Sequence, residues 1–431
     1  MKPTITLCMI VKDETHVIER CLRSVAPSID RYDITDTGST DGTPEKIKEI
    51  MDELGIPGEV YLSDWKGFGD HNGKIGSRTE SLRNCDGKAD YAWVIDADDS
   101  AEGKIELPPG ADADAYSLRI SRGDFTWWRN QIFKTKSKWR YEGVLHEYAA
   151  TDVENFKVVR YEGKYGVNAR TEGARNVGIT PTEKYTRDAE VLRKALEETP
   201  DNSRYQFYLA QSYFDSQQWE KSQEAYQKRV DMGGWPEEVF YSLYRIAILM
   251  GIQERDPKEV IAAFEECYNF KPNRAEPLYQ ISRIYRSLNK APMAYLFAKA
   301  GLEIPYPDQD ILFIQEEIYR YGMLDEVGAT AFYAGKPHVG YASCKRLLEE
   351  NLIPEEHRAR VEENFKSYVN VLTQLQQQQM MQDFDKQMDD LKTRQAEKEE
   401  KKLKKAEKIR VGKKSTKTPS INKKYKTRKK R

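Results

Sequence analysis

Nine consecutive residues constrain this chain most: Tyr91-Ala92-Trp93-Val94-Ile95-Asp96-Ala97-Asp98-Asp99. An apolar run goes straight into an acidic cluster. A short run of this kind reads as a buried strand. Three carboxylates at its C-terminal end repel one another strongly unless a cation sits among them. In open α/β sheets, strand ends at a crevice are also where ligands bind. The stretch points to a sheet that presents a divalent metal to a phosphate-bearing ligand.

The residues before it alternate strand-like and helix-like patterns. Ile5 to Val11 reads as a strand, and Val17, Ile18, Cys21, Leu22 and Val25 then recur at helical spacing. Tyr32 to Thr35 reads as a second strand, followed by the turn-rich loop Asp36-Thr37-Gly38-Ser39-Thr40-Asp41-Gly42-Thr43-Pro44. Thr43 is expected to cap a helix with Pro44 at its first position. That helix runs to about Leu54. Glu59 to Leu62, Ser77 to Asn84 and Tyr91 to Ile95 follow as strand, helix and strand. Such alternation argues for a parallel sheet with crossover helices over residues 1–178.

From about 182 to 370 the pattern is helical alone, and it repeats. Leu209-Ala210, Ile246-Ala247 and Ile281-Ser282 recur at separations of 37 and 35 residues, and Pro236, Pro272 and Pro305 at 36 and 33. Tyr213 and Tyr285 follow in the first helix of their units, and Tyr226, Phe264 and Phe297 mark the second. The pattern resembles the tetratricopeptide repeat, in which a small residue lets two helices pack closely and a proline closes the unit. Ser222 stands where alanine is usual, and a fourth, irregular unit is expected at roughly 310–355. Stacked pairs of this kind form a concave surface.

Residues 374–431 are low in complexity: a polar helix to about Lys408, then a basic tail expected to be disordered. The net charge of −1 conceals this asymmetry. From Lys386 onward there are 20 Lys and Arg against 6 Asp and Glu, so the acidic body carries −15. The five cysteines, Cys8, Cys21, Cys85, Cys267 and Cys344, form no CxxC pair, which fits a reducing compartment. No apolar run approaches the roughly 18 residues of a membrane span. A cytoplasmic protein is expected, with peripheral attachment to anionic lipid through the tail as an option. Cations without a reading helix or aromatic platform argue against specific nucleic-acid binding.

The first 150 residues resemble a GT-A glycosyltransferase of family 2. Leu7-Cys8-Met9-Ile10-Val11-Lys12-Asp13-Glu14 is similar to the family's opening strand, with Asp13 in place of the usual Asn. Asp36 to Thr43 is similar to its Asp-Asp-Gly-Ser-Thr-Asp-Gly-Thr signature, with Thr37 in place of the second acid. Arg78-Thr79-Glu80-Ser81-Leu82 matches an arginine before a short helix, and Asp96-Ala97-Asp98 matches the DxD motif. Transferases carrying C-terminal repeats also have a string similar to Tyr141-Glu142-Gly143-Val144-Leu145-His146-Glu147.

The resemblance implies a metal-dependent, inverting transferase using a nucleotide-diphosphate sugar, foremost a UDP-sugar. Val11, Asp13, Glu14, Asp36, Gly38, Ser39, Arg78, Asp96 and Ala97 would contact the donor. Asp98, with Asp96 and His146, would hold Mn²⁺ or Mg²⁺, since hard oxygen donors suit these ions. Asp99 is either a further metal contact or solvent-exposed. Glu147 is the candidate base for the acceptor hydroxyl, and His146 is a metal or diphosphate contact, or the two exchange roles. The acceptor is a glycan, protein or lipid. Trp127, Trp128 and Arg129 offer an acceptor platform or a packing surface. Asp64 to Lys74, rich in glycine, is either a loop that closes over the donor or a plain exposed loop. The repeats would bind a protein partner or a second copy. A repeat scaffold carrying an inactive transferase domain is the competing expectation.

Overall fold

The structure is a computed structural model that describes residues 2–122 and 125–414. It forms two compact units. One takes in the chain to Lys271 together with Gln309–Phe313, the other Pro272–Asp308 and the chain from Ile314 onward. The first unit therefore includes helices beyond the limit predicted at 178–182.

In the first unit, strands β1 (Ile5–Val11), β2 (Arg31–Asp36), β3 (Gly58–Leu62) and β4 (Tyr91–Val94) lie parallel in the order β3-β2-β1-β4. Helices α1 (Ile18–Val25), α2 (Thr43–Glu53) and α3 (Ser77–Asn84) connect them. The chain winds outward from β1 through β2 to β3, then returns to place β4 on the other side of β1. The C-terminal ends of β1 and β4 thus flank a switch point, where doubly wound sheets open a crevice.

The strands form because their side chains fill two packed faces. Ile5, Leu7, Met9 and Trp93 pack with Ile18, Leu22 and Ile47, while Cys8, Ala92 and Val94 pack with Leu82, Phe133 and Tyr141. Burial on both faces explains why β4 reads as a continuous apolar run rather than an alternation. Thr43 is not the cap of α2. Gly42, at φ 84°, takes the cap position, and Thr43 is the first helical residue, its N–H bonded to Asp41 Oδ1.

Beyond β4 the sheet is richer than the sequence pattern indicates. Strands β5 (Ser100–Gly103), β6 (Ala115–Arg122), β7 (Phe125–Lys134), β8 (Arg140–Glu142), β9 (Tyr148–Ala150), β10 (Val158–Arg160) and β11 (Tyr165–Asn168) follow. The sheet continues β4-β7-β6-β11-β5, with β10 also on β6, while β8 and β9 make a separate ribbon. Strand β7 runs antiparallel to β4 and β6, so the whole is mixed and mostly parallel.

Helices α4 (Pro181–Glu198), α5 (Ser203–Asp215), α6 (Trp219–Met232), α7 (Pro236–Ile252) and α8 (Pro257–Phe270) complete this unit. A capping box of Thr180 and Glu183, with Pro181 at the first position, starts α4. Ala210, Tyr226 and Phe207 are buried between α5 and α6, as the repeat pattern requires. Ser222 fits the tight position because its hydroxyl donates to the Ala210 carbonyl at 2.9 Å. Pro236 does not close a unit. It opens α7, where its missing N–H costs nothing.

The second unit holds α9 (Glu276–Ser287), α10 (Ala291–Leu302), α11 (Met323–Thr330), α12 (Pro337–Glu349) and α13 (Glu355–Lys414). A π-helical turn, Ile318–Gly322, leads into α11 and accounts for the irregular fourth unit. From Thr373 every described side chain of α13 is exposed. The predicted disordered stretch from Lys413 lies, beyond Lys414, outside the described residues. No described helix is long and apolar enough to cross a membrane.

One buried ion pair ties α6 to α7. Arg229, fully buried, donates through Nε and Nη2 to Glu238 Oε2 at 3.0 and 2.9 Å, and through Nη1 to the Gly233 carbonyl at 2.6 Å. Removing one partner strands the other charge. Arg229→Ala is expected to cost about 3–5 kcal/mol in urea denaturation.

Candidate active site

The crevice between β1 and β4 gathers the sequence motifs. Asp13 and the loop after β2 are locked together. Asp13 N–H donates to Ser39 Oγ, Thr40 N–H to Asp13 Oδ1, and Glu14 N–H to Thr43 Oγ1. The Val11 carbonyl accepts from both the N–H and the hydroxyl of Thr37. Asp36 Oδ1 accepts from the N–H groups of Gly38 and Ser39 at 3.0 and 2.9 Å. Its other oxygen, Oδ2, is buried without a hydrogen-bond partner. A buried carboxylate oxygen in that state invites a donor from elsewhere. Loop 36–43 also leads into the N-terminus of α2, which favours anions.

Arg78, in the first turn of α3, is the centre of the site. Its Nη2 donates to Asp96 Oδ1 at 2.7 Å, and its Nε lies 2.6 Å from Glu147 Oε1. The second contact is an ion pair without hydrogen-bond alignment. The guanidinium lies over the rings of Phe68 and Tyr141 at 5.9 and 5.8 Å. Arg129 Nη1 stands 3.8 Å from Asp96 Oδ2. Burial alone would raise the Asp96 carboxyl, but the charges of Arg78 and Arg129 outweigh it and hold Asp96 at about 2. Residues distant in sequence thus meet: Arg78, Asp96 and Glu147 form one cluster.

Asp98 and Asp99 have other partners. The segment after β11 crosses them and donates one amide to each acid: Arg170 N–H to Asp99 Oδ1, Gly173 N–H to Asp98 Oδ2, and Ala174 N–H to Glu14. Arg20 reaches the Asp98 carbonyl, and His16 Nε2 meets the Glu172 carbonyl at 2.9 Å. Sequence reasoning missed this segment, because backbone amides leave no residue signature. Ala97 turns its side chain into the core. Asp99 is buried rather than solvent-exposed. Burial, then the neighbouring charges of Asp96 and Asp98, push its carboxyl up to about 7.

His146 stands elsewhere. Its ring stacks on Tyr208 of α5, with centroids 3.9 Å apart and planes 8° from parallel. Burial lowers its imidazole to about 4. Among the described residues no three His, Cys, Asp or Glu side chains gather as a metal cage, so Asp96, Asp98 and His146 are not a ligand set here. Carboxylates such as Asp96 and Asp98 are the hard oxygen donors that Mg²⁺ or Mn²⁺ would take, the remaining positions falling to ligand oxygens and water.

The glycine-rich loop is pinned. Gly69 N–H donates to the Gly143 carbonyl, Gly143 N–H to the Asp70 carbonyl, His71 Nδ1 meets Tyr205 Oη at 3.1 Å, and Asn72 donates to Glu198. A Cβ on Gly69 would stand 2.7 Å from the Tyr141 carbonyl. Its glycine serves close approach to β8. Trp127 and Trp128 are both more than a third exposed, and Arg160 lies over the Trp128 ring at 5.1 Å.

Residues 6–113 match the family described as glycosyl transferase family 2. A TPR repeat-containing protein of Synechococcus elongatus is 29% identical over 152 residues, 33% of this chain and 34% of that protein. The chain thus spans about a third of the length of that curated relative. Among solved structures, the crystal structure of MamA matches with a TM-score of 0.32 and 15% identity, over 44% of this chain and 99% of that one. The crystal structure of TTC0263, a thermophilic TPR protein in Thermus thermophilus, matches at 0.30 and 14%, over 42% and 91%. Residues 6–113 thus match glycosyl transferase family 2, and the helices that follow are paired in a manner similar to tetratricopeptide repeats.

Proposed function

We propose that the sheet domain transfers a sugar from a nucleotide-diphosphate donor, a UDP-sugar foremost, to an acceptor hydroxyl with inversion at the anomeric carbon. The observation that carries this reading is Arg78 joining Asp96 and Glu147 at the switch point of the sheet. It sets a donor-side carboxylate and a candidate base on either side of one cation.

The unpartnered Asp36 Oδ2 receives a donor group of the nucleoside. Asp98, with Asp96, holds Mn²⁺ or Mg²⁺, which when bound supplies Lewis-acid stabilisation to the leaving diphosphate. Arg78 orients Asp96 and adds positive charge beside the phosphates. Glu147 takes the proton of the acceptor hydroxyl as its oxygen bonds to the anomeric carbon and the bond to the diphosphate breaks. Its contact to Arg78 lacks hydrogen-bond alignment, so lone pairs remain for that proton. The acceptor is a glycan, a protein or a lipid.

One observation favours the competing reading of a scaffold with an inactive domain. Thr37, where the family often has an acid, is buried and spends its hydroxyl on the Val11 carbonyl at 3.0 Å.

Turnover decides between them. A screen of nucleotide sugars with Mn²⁺ is expected to show hydrolysis or transfer that chelation with EDTA removes. Absence of turnover for every donor would leave the scaffold reading. Asp98→Ala is expected to abolish metal-dependent turnover with the fold retained by circular dichroism. Glu147→Gln is expected to bind nucleotide like the wild type by calorimetry and to lose transfer by about 10²–10⁴-fold. Asp36→Asn keeps the turn but loses one charged acceptor, so nucleotide affinity should fall about 10- to 150-fold, as for a charge-assisted hydrogen bond of about 1.5–3 kcal/mol.

A further inference from the structure

We infer that Tyr208 and Arg204 are positioning residues for Glu147, so that helix α5 completes the site built by the sheet. This rests on the reading of Glu147 as the acceptor base.

The turn that carries Glu147 does not hold itself. After β8 the chain passes through Gly143 at φ 116° and His146 at φ 52°. A left-handed non-glycine residue is strained and persists where its surroundings over-determine it. Here those surroundings are α4 and α5. Val144 N–H donates to Tyr205 Oη at 3.2 Å. Leu145 is buried among Leu192, Leu196 and Leu209. The His146 ring lies flat on Tyr208, and its carbonyl accepts from Arg204 Nη2 at 2.9 Å.

Arg204 also covers the rings of Tyr148 and Tyr208, each at 5.0 Å. The residues on both sides of Glu147 are therefore gripped by one arginine. Residues 144, 145, 146 and 148 all have contacts on the helices. Glu147, between them, reaches the Arg78 guanidinium at 2.6 Å. A misplacement of about 1 Å in such a group costs on the order of 10²-fold in rate. The ion pairs of Arg78 and Asp96 involve Glu147 and Arg129 but neither Tyr208 nor Arg204, so these two act through the turn.

The test uses the full chain with three variants, Tyr208→Ala, Tyr208→Phe and Arg204→Ala. Two readouts are taken: steady-state donor turnover with nucleotide Kd, and hydrogen exchange of residues 144–148. For Tyr208→Ala and Arg204→Ala the expected result is kcat down by about 10–100-fold with nucleotide Kd within about twofold. Tyr208→Phe, which keeps the stacked ring, should stay within about twofold of the wild type. Exchange at 144–148 should rise by about tenfold or more in the alanine variants and stay unchanged in β1 and β4. Unchanged kcat in the alanine variants overturns the inference, as does equal loss in Tyr208→Phe and Tyr208→Ala. If the wild type turns over no nucleotide sugar while binding nucleotide, the transferase reading falls, and exchange alone decides the grip. Unaltered exchange in Tyr208→Ala then overturns it.

Discussion

The contact on which the rest of the site depends is the Arg78 guanidinium between Asp96 and Glu147. The end of β4 and the turn after β8 both bring carboxylates to the same crevice. Like charges brought into one crevice repel each other. A planar, permanently charged group answers both at once, which a point-charge lysine does less well. The aromatic rings of Phe68 and Tyr141 hold it from two sides. Arg78 is buried, and the charges of Asp96 and Glu147 offset its desolvation. The cluster is mutually dependent, and each member is costly without the others.

Much of this was legible in the sequence because the signals are local. The apolar run of β4 and its acids are contiguous, and the run's shortness, not its period, marks it as a strand. Arg78 and Glu147 stood out through motif strings, and the structure brings them to one point. The repeats were legible through the spacing of small and aromatic pairs, which reflects helix packing at Ala210 and Tyr226. What failed was of a different kind. Thr43 looked like a cap, but Gly42 reaches the left-handed conformation that the turn needs. Pro236 looked like a stop and is a start. The short strands β5 and β8 to β11 carry three or four residues each, too few for periodicity to register. His146 was drawn to the metal by its neighbour in sequence, whereas a left-handed backbone turns the two side chains to different partners.

The acidic crevice also shows how a protein accommodates charge before any ligand arrives. Glu14, Asp98 and Asp99 each accept an amide from residues 170–174. These amides are neutral dipoles and relieve the crowding only in part, since Asp99 remains pushed up to about 7.

The grip of α4 and α5 on the turn before Glu147 bears on how such a chain can be inherited. Secondary structure changes character near residue 180, and a gene cut there would appear to separate two modules. The packing says otherwise: Leu145 lies on Leu192 and Leu196, with Phe68 and Val144 beside them. An exchange that kept the strands and replaced these helices would leave a bare apolar patch and an unsupported loop. The turn before Glu147 and helices α4 and α5 therefore share one apolar interface, and a boundary drawn at residue 180 would cut through it.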